Sequence, residues 1–118
     1  METLLVIGLG SMGKRRARLL KRARPQAALC GVDLSPARRE EAEALGIRAY
    51  ESLEAALAAK APRAAFVCTA PVTHAAIIAR LLQAGVPVFT ELNLVDDGYD
   101  ELTAAAREKG VPLFLSST

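Results

Sequence analysis

The sequence predicts an α/β domain, a Rossmann-like six-stranded doubly wound parallel sheet with helices on both faces. Three observations predict it. Short apolar runs of strand length recur along the chain; segments of helical period, with caps and stops, alternate with them; and the runs lack the polar alternation of a strand exposed on one face. Helical crossovers between such strands are right-handed, which makes the sheet parallel and covers both its sides. A chain of 118 residues buries about two thirds of its unfolded surface on folding. It therefore needs no metal or disulfide to fold.

The elements follow in order. TLLVIGL (3–9) is the first strand. In MGKRRARLLKRA, Met12, Arg16, Leu19, Leu20 and Ala23 share one side of a helix, and that mostly apolar side is expected to face the sheet. ALCGVD (28–33) is the second strand. SPARREEAEALG opens with Ser35 as N-cap and Pro36 at the first helical position, and stops at Gly46. IRAY (47–50) is a weaker strand and SLEAALAA (52–59) a short helix. AAFVCT (64–69) is the fourth strand. THAAIIARLLQAG is a helix with Thr73 as cap, Ile77, Ile78, Leu81 and Leu82 as its buried stripe, and Gly85 as its stop. VPVFT (86–90) is the fifth strand, DDGYDELTAAAREKG a helix closing at Gly110, and VPLFLS (111–116) the sixth strand. The expected spatial order is 3-2-1-4-5-6. Residues 1–118 read as this one domain, without linker, repeat or second domain.

Composition narrows the functional classes. The net charge is +2, yet Lys14, Arg15, Arg16, Arg18, Lys21, Arg22 and Arg24 fall in one segment with no acid between Glu2 and Asp33. On a helix such a run reads as a solvated face; no aromatic residue is interleaved with it, so nucleic acid is not an expected partner. Cys30 and Cys68 sit in apolar runs and read as small core residues, with no metal-ligand spacing and no disulfide framework. No apolar run is long enough to span a bilayer and the first strand starts near Thr3, so the expected location is the cytoplasm.

The chemistry lies in G-x-G-x-x-G. Gly8, Gly10 and Gly13 follow the first strand at once and open a helix, and Asp33 stands 20 residues beyond Gly13 at the end of the second strand. In that context the motif is a dinucleotide site. Gly8 permits the tight turn, Gly10 lets the backbone touch a pyrophosphate, and Gly13 brings helix and sheet close. The first-turn amides, at Ser11, Met12 and Gly13, meet the anion. The Asp33 carboxylate accepts from the two ribose hydroxyls of NAD. A 2′-phosphate about 4 Å away would be repelled by roughly 4 kcal/mol at an effective dielectric near 20. NAD is therefore the expected cofactor, and NADP the less favoured one; Arg38 and Arg39, a few residues on, would soften the preference.

The fourth strand leads into TAPVTH (69–74), where Pro71 is expected to break the strand on the carboxyl edge of the sheet. His74 is the chain's single histidine and reads as a local hydrogen-bonding partner before a catalytic base. Glu91 ends the fifth strand on the same edge.

GLGSMG, VDLS, AFVCTAPVTHAAIIARLLQAG, PVFTEL and VPLFLSST together resemble the glucose-fructose oxidoreductase and inositol dehydrogenase family, over nearly the whole chain. GLGSMG alone also looks like the opening of β-hydroxyacid dehydrogenases, which lack the TAPVTH helix and the Glu-ended fifth strand. The first resemblance implies an NAD-binding domain whose loop at Thr69, Ala70 and Pro71 runs along the cofactor, with His74 beside it and Glu91 near the nicotinamide ribose. Leu34, after Asp33, and Asn93 complete the implied cofactor contacts. The family usually has Glu-Lys-Pro where this chain has Glu91, Leu92 and Asn93. Its lysine moves a proton to or from substrate, which Leu92 cannot do, and its proline geometry is not kept. The expectation is thus a cofactor-binding domain with no catalytic residue of its own, part of an oxidoreductase acting on a sugar, polyol or related carbonyl compound. A stand-alone nucleotide-binding or regulatory module is the alternative, and a former enzyme kept as an interaction scaffold a third. No oligomeric state is implied.

Overall fold

The computed structural model describes residues 2–68, 71–92 and 106–117, with the backbone alone at 71–75, 91–92 and 114–117. The strands are β1 (Thr3–Ile7), β2 (Ala28–Val32), β3 (Arg48–Tyr50), β4 (Ala64–Val67), β5 (Val88–Leu92) and β6 (Leu113–Ser117); the helices are α1 (Ser11–Ala23), α2 (Pro36–Ala44), α3 (Leu53–Ala59) and α4 (Pro71–Gln83). All strand pairs are parallel, and the sheet order is β3-β2-β1-β4-β5-β6. Asn93 and residues 94–105, the start of the expected last helix included, lie outside the described residues; 106–109 are helical and end at Gly110.

The pleat divides the core in two. Leu5, Ile7, Cys30, Val32, Ala65, Val67 and Val88 project to one face, where Ile78, Leu81 and Leu82 of α4 and Ala56 of α3 cover them. On the other face Leu4, Val6, Leu29 and Ala64 meet Ala17 of α1 and Ala42 of α2. Phe66 and Phe89, neighbours in register on β4 and β5, stack on that second side at 4.9 Å between ring centroids.

The α4 stripe lies where the sequence puts it, but α1 buries a different face. Gly13 and Ala17 are buried and Leu20 packs against the core, whereas Met12 and Leu19 are 56% and 46% exposed and Ala23 is also exposed. Small residues win this interface because the helix leaves the sheet through a tight turn and crosses it closely; a longer side chain would hold it away. The start of α4 also differs. It begins at Pro71, so Thr73 stands inside the first turn and is not the N-cap. Proline's preset φ and missing N–H suit the first helical position, so Pro71 opens this helix rather than merely ending a strand. At the ends of the strands, β1 stops at Ile7 and β4 at Val67, short of the predicted runs, while β5 continues to Leu92.

Helix α2 keeps its expected punctuation: the Ser35 hydroxyl accepts from the Arg38 N–H at 3.3 Å, Pro36 is first in the helix, and Gly46 turns the chain at φ +85°. Ser52 caps α3 in the same way, accepting from the Ala55 N–H at 3.1 Å. Among the described residues, no helix is long and apolar enough to cross a membrane.

Candidate functional site

The carboxyl edge of the sheet is built by extending the strand ladder one residue past β1, β2 and β4. The Gly8 N–H donates to Val32 O at 2.8 Å, the Asp33 N–H to Tyr50 O at 3.1 Å, and the Cys68 N–H to Ile7 O at 2.7 Å. Gly8, Asp33 and Cys68 thereby stand in one row. Between β1 and β4 the strand order reverses, and a crevice outside the carboxyl ends opens at such a point.

Gly8 turns the chain out of β1 at φ +94°, a conformation that costs glycine least. Leu9 then folds inward and is fully buried against Gly31 of β2. A Cβ at residue 31 would stand 2.6 Å from Leu9 Cδ2. Gly13 closes the loop: its Cβ would lie 1.7 Å from Gly8 O, so helix and strand approach this closely only because residue 13 carries no side chain. At the helix start, Gly10 is the N-cap and no side chain caps the turn. The amides of Ser11, Met12 and Gly13 thus face the crevice without a side-chain acceptor, at the positive end of the helix dipole.

Asp33 does two jobs. Oδ2 accepts from the Leu9 N–H at 2.8 Å and Oδ1 from the Ser35 N–H at 2.9 Å, so the carboxylate ties the glycine loop to the turn before α2. Each oxygen keeps a lone pair that can take a ribose hydroxyl. The two arginines separate in role. Arg38 Nη1 lies 3.7 Å from Asp33 Oδ2, and the guanidinium hangs over Gly10, 3.6 Å from where a Cβ would be. Arg39 instead donates to the carbonyls of Asp33 and Leu34 at 2.9 and 3.1 Å, so it fastens the turn. Leu34 is 86% exposed beside them.

These features fit a dinucleotide: an uncapped helix N-terminus for a pyrophosphate, bare glycines where a backbone must come close, and a carboxylate positioned for a ribose. Pro71 and His74 are in the first turn of α4 and Glu91 is on β5, in register with Ser116, so their backbones belong to the same edge. Thr69, Ala70 and Asn93 lie outside the described residues. Sequence reading missed Gly31, although a glycine inside a strand signals that something packs closely against it. It also left open which arginine meets the carboxylate, since helical phase alone does not distinguish neighbours at a helix start.

The sequence profile of the GFO/IDH/MocA family, described as an oxidoreductase family with an NAD-binding Rossmann fold, matches residues 3–117. The chain belongs to this family. Among solved structures, GFO/IDH/MocA resemblance is carried by GenD2 from gentamicin A biosynthesis, in complex with NAD. It is 33% identical with a TM-score of 0.86, over 98% of this chain and 34% of that one. Biliverdin reductase from Synechocystis, in complex with biliverdin and NADP+, is 27% identical with a TM-score of 0.83, over 96% and 37%. The WlbA dehydrogenase from Bordetella pertussis, in complex with NADH and UDP-GlcNAcA, is 26% identical with a TM-score of 0.85, over 96% and 36%. The chain therefore spans about a third of the length of these structures. Comparison with curated protein sequences found no match. This GFO/IDH/MocA chain is an NAD-binding domain of the oxidoreductase class.

Proposed function

We propose that this domain holds NAD, in preference to NADP, as the cofactor half of an oxidoreductase whose hydride transfer acts on a sugar, polyol or related carbonyl compound. The observation that carries the cofactor reading is the Asp33 carboxylate, fixed by the Leu9 and Ser35 amides at the mouth of the uncapped α1 N-terminus. The bound dinucleotide supplies the hydride donor or acceptor.

In this reading Gly8, Gly10 and the amides of Ser11, Met12 and Gly13 cradle the pyrophosphate, and Asp33 takes the adenosine ribose. Exposed Leu34 and the Arg38 guanidinium offer an apolar and a planar surface to the adenine. Thr69, Ala70, Pro71, His74, Glu91 and Asn93 flank the nicotinamide half, as in the family. Arg38 partly offsets the repulsion of a 2′-phosphate by Asp33, so the preference for NAD is narrower than the carboxylate alone would set. Leu92 offers no proton, and in this reading the substrate's proton donor belongs to a part of the protein beyond this domain. The one-third span of the chain on its solved relatives supports that division.

The test combines a fluorescence titration with an activity assay on the same sample. NADH should bind saturably, while NAD+ with a panel of sugars and inositols produces no gain of reduced-nicotinamide absorbance. Turnover by the 118-residue chain would overturn the division of labour, and absence of binding would overturn the cofactor role. Leu92 in the place of the family's lysine also favours a second reading, a nucleotide-binding regulatory module; a full-length protein that binds NADH but turns over no carbonyl substrate would establish it.

A further inference from the structure

A second concave site lies along β2 and the edge strand β3, away from the glycine loop. It is a cleft of about 550 Å³ with Leu29, Cys30 and Ala59 in its wall and Lys21, Arg48 and Lys60 around it. That volume falls within the range of small-molecule pockets, about 300–1,000 Å³, which combine apolar walls with a few convergent polar groups.

The three cations come from three elements. Arg48 opens β3 and is the register partner of Cys30 on β2. Lys60 is the C-cap residue of α3. Lys21, in the last turn of α1, reaches across to the turn after α2, where its Nζ donates to Leu45 O at 3.4 Å. Neither Arg48, Lys60 nor Lys21 forms an ion pair among the described residues, whereas Lys14, Arg24, Arg38, Arg63 and Arg80 all do. Glu43, the acid whose charge reaches Cys30, is engaged by the Ala49 N–H at 2.6 Å. Burial pushes the Cys30 thiol up, and Lys60 and Arg48 pull it back, so both positive charges act on the floor of the cleft.

Arg48 and Lys60 share the Cys30 face of the sheet, whereas Lys21 comes from the α1 and α2 face and meets the cleft beside Gly46. Two cations from separate elements, both acting on Cys30 and outnumbering Glu43, raise the local concentration of anions there. Their sources also matter: each is held by a different segment, so the cluster is not the solvated face of one helix. We infer that this cleft is a second anion site, which takes a small phosphate-bearing metabolite with its phosphate between Arg48 and Lys60 and its body against the apolar wall. Cys30 precedes Asp33 by three residues on a strand that rises about 3.3 Å per residue, and although Tyr50 at the end of β3 also lines the cleft, neither the glycine loop nor Asp33 does. The site therefore shares no lining residue with the glycine loop, and does not depend on the cofactor reading.

Inorganic pyrophosphate is the probe, followed by amide NMR at constant ionic strength. This resolves the two candidate anion sites by residue. The expected result is saturable shifts at the amides of Cys30, Gly46, Arg48 and Lys60, whatever happens at residues 8–13. Arg48→Gln combined with Lys60→Gln should weaken binding at those amides about tenfold or more, the loss of charge-assisted hydrogen bonds, with a dispersed spectrum confirming the fold and any glycine-loop shifts unchanged. Shifts confined to residues 8–13, shifts that never saturate, or an unchanged affinity in the folded double variant would each overturn the inference.

Discussion

A methyl group at Gly13 would stand 1.7 Å from the Gly8 carbonyl oxygen, and that neighbour is backbone that cannot step aside. A methyl at Gly31 meets the Leu9 side chain at 2.6 Å, which can change rotamer. Overpacking costs typically about 1–3 kcal/mol, so Gly13→Ala is expected at or above the top of that range and Gly31→Ala near its bottom; urea unfolding of both variants measures the difference. Thr90 carries the opposite expectation. It is 5% exposed on β5, and its hydroxyl has no hydrogen-bond partner among the described residues. Thr90→Val removes the orphaned group while keeping the branched shape, and should stabilise the domain by about 1 kcal/mol. A loss of stability would mean that the hydroxyl has a partner.

Elements were legible to the extent that their determinants are local. Ser35, Pro36 and Gly46 punctuate α2 by their own chemistry, and the structure uses all three as the sequence suggests. The buried face of α1 was not legible: Met12, Leu19 and Ala23 have the spacing of a core stripe, but the close crossing at Gly13 and Ala17 rotates them outward. The glycine motif announced the close approach, and only the phase of the helix translates it into a face. One contact between elements is invisible in sequence. Arg80 of α4 grips Glu54 of α3 with two bonds of 2.6 and 2.8 Å. The hydrogen bond from Arg80 lowers the Glu54 pKa. A carboxylate depressed in the folded state contributes stability above its unfolded value, about 4.3 for glutamate, and loses it as pH falls through the lower folded value. Glu54→Gln should therefore flatten the acid limb of the melting-temperature profile below about pH 4.3 and leave the slope above it unchanged; an identical acid limb would show that the pair contributes nothing measurable, as exposed pairs often do.

At the scale of the molecule, the sheet brings residues far apart in sequence to one edge: Gly8, Asp33 and Cys68 become neighbours by a continued ladder. The spacing from Gly13 to Asp33 disclosed the acid's place, and its bonds to Leu9 and Ser35 give it a structural role beside the ribose-binding one proposed for it. Removing the carboxylate altogether would disturb the loop, so Asp33→Asn, which keeps an acceptor, is the cleaner variant; it should lower the preference for NADH over NADPH. Arg38→Ala should raise that preference, because it removes the cation that stands beside the carboxylate. The measurement that tests the central claim most directly is a calorimetric titration of the unaltered chain with NADH and, separately, with NADPH. The account predicts saturable binding of one NADH per chain, tighter than that of NADPH. No heat with either dinucleotide, or tighter binding of NADPH, would contradict it.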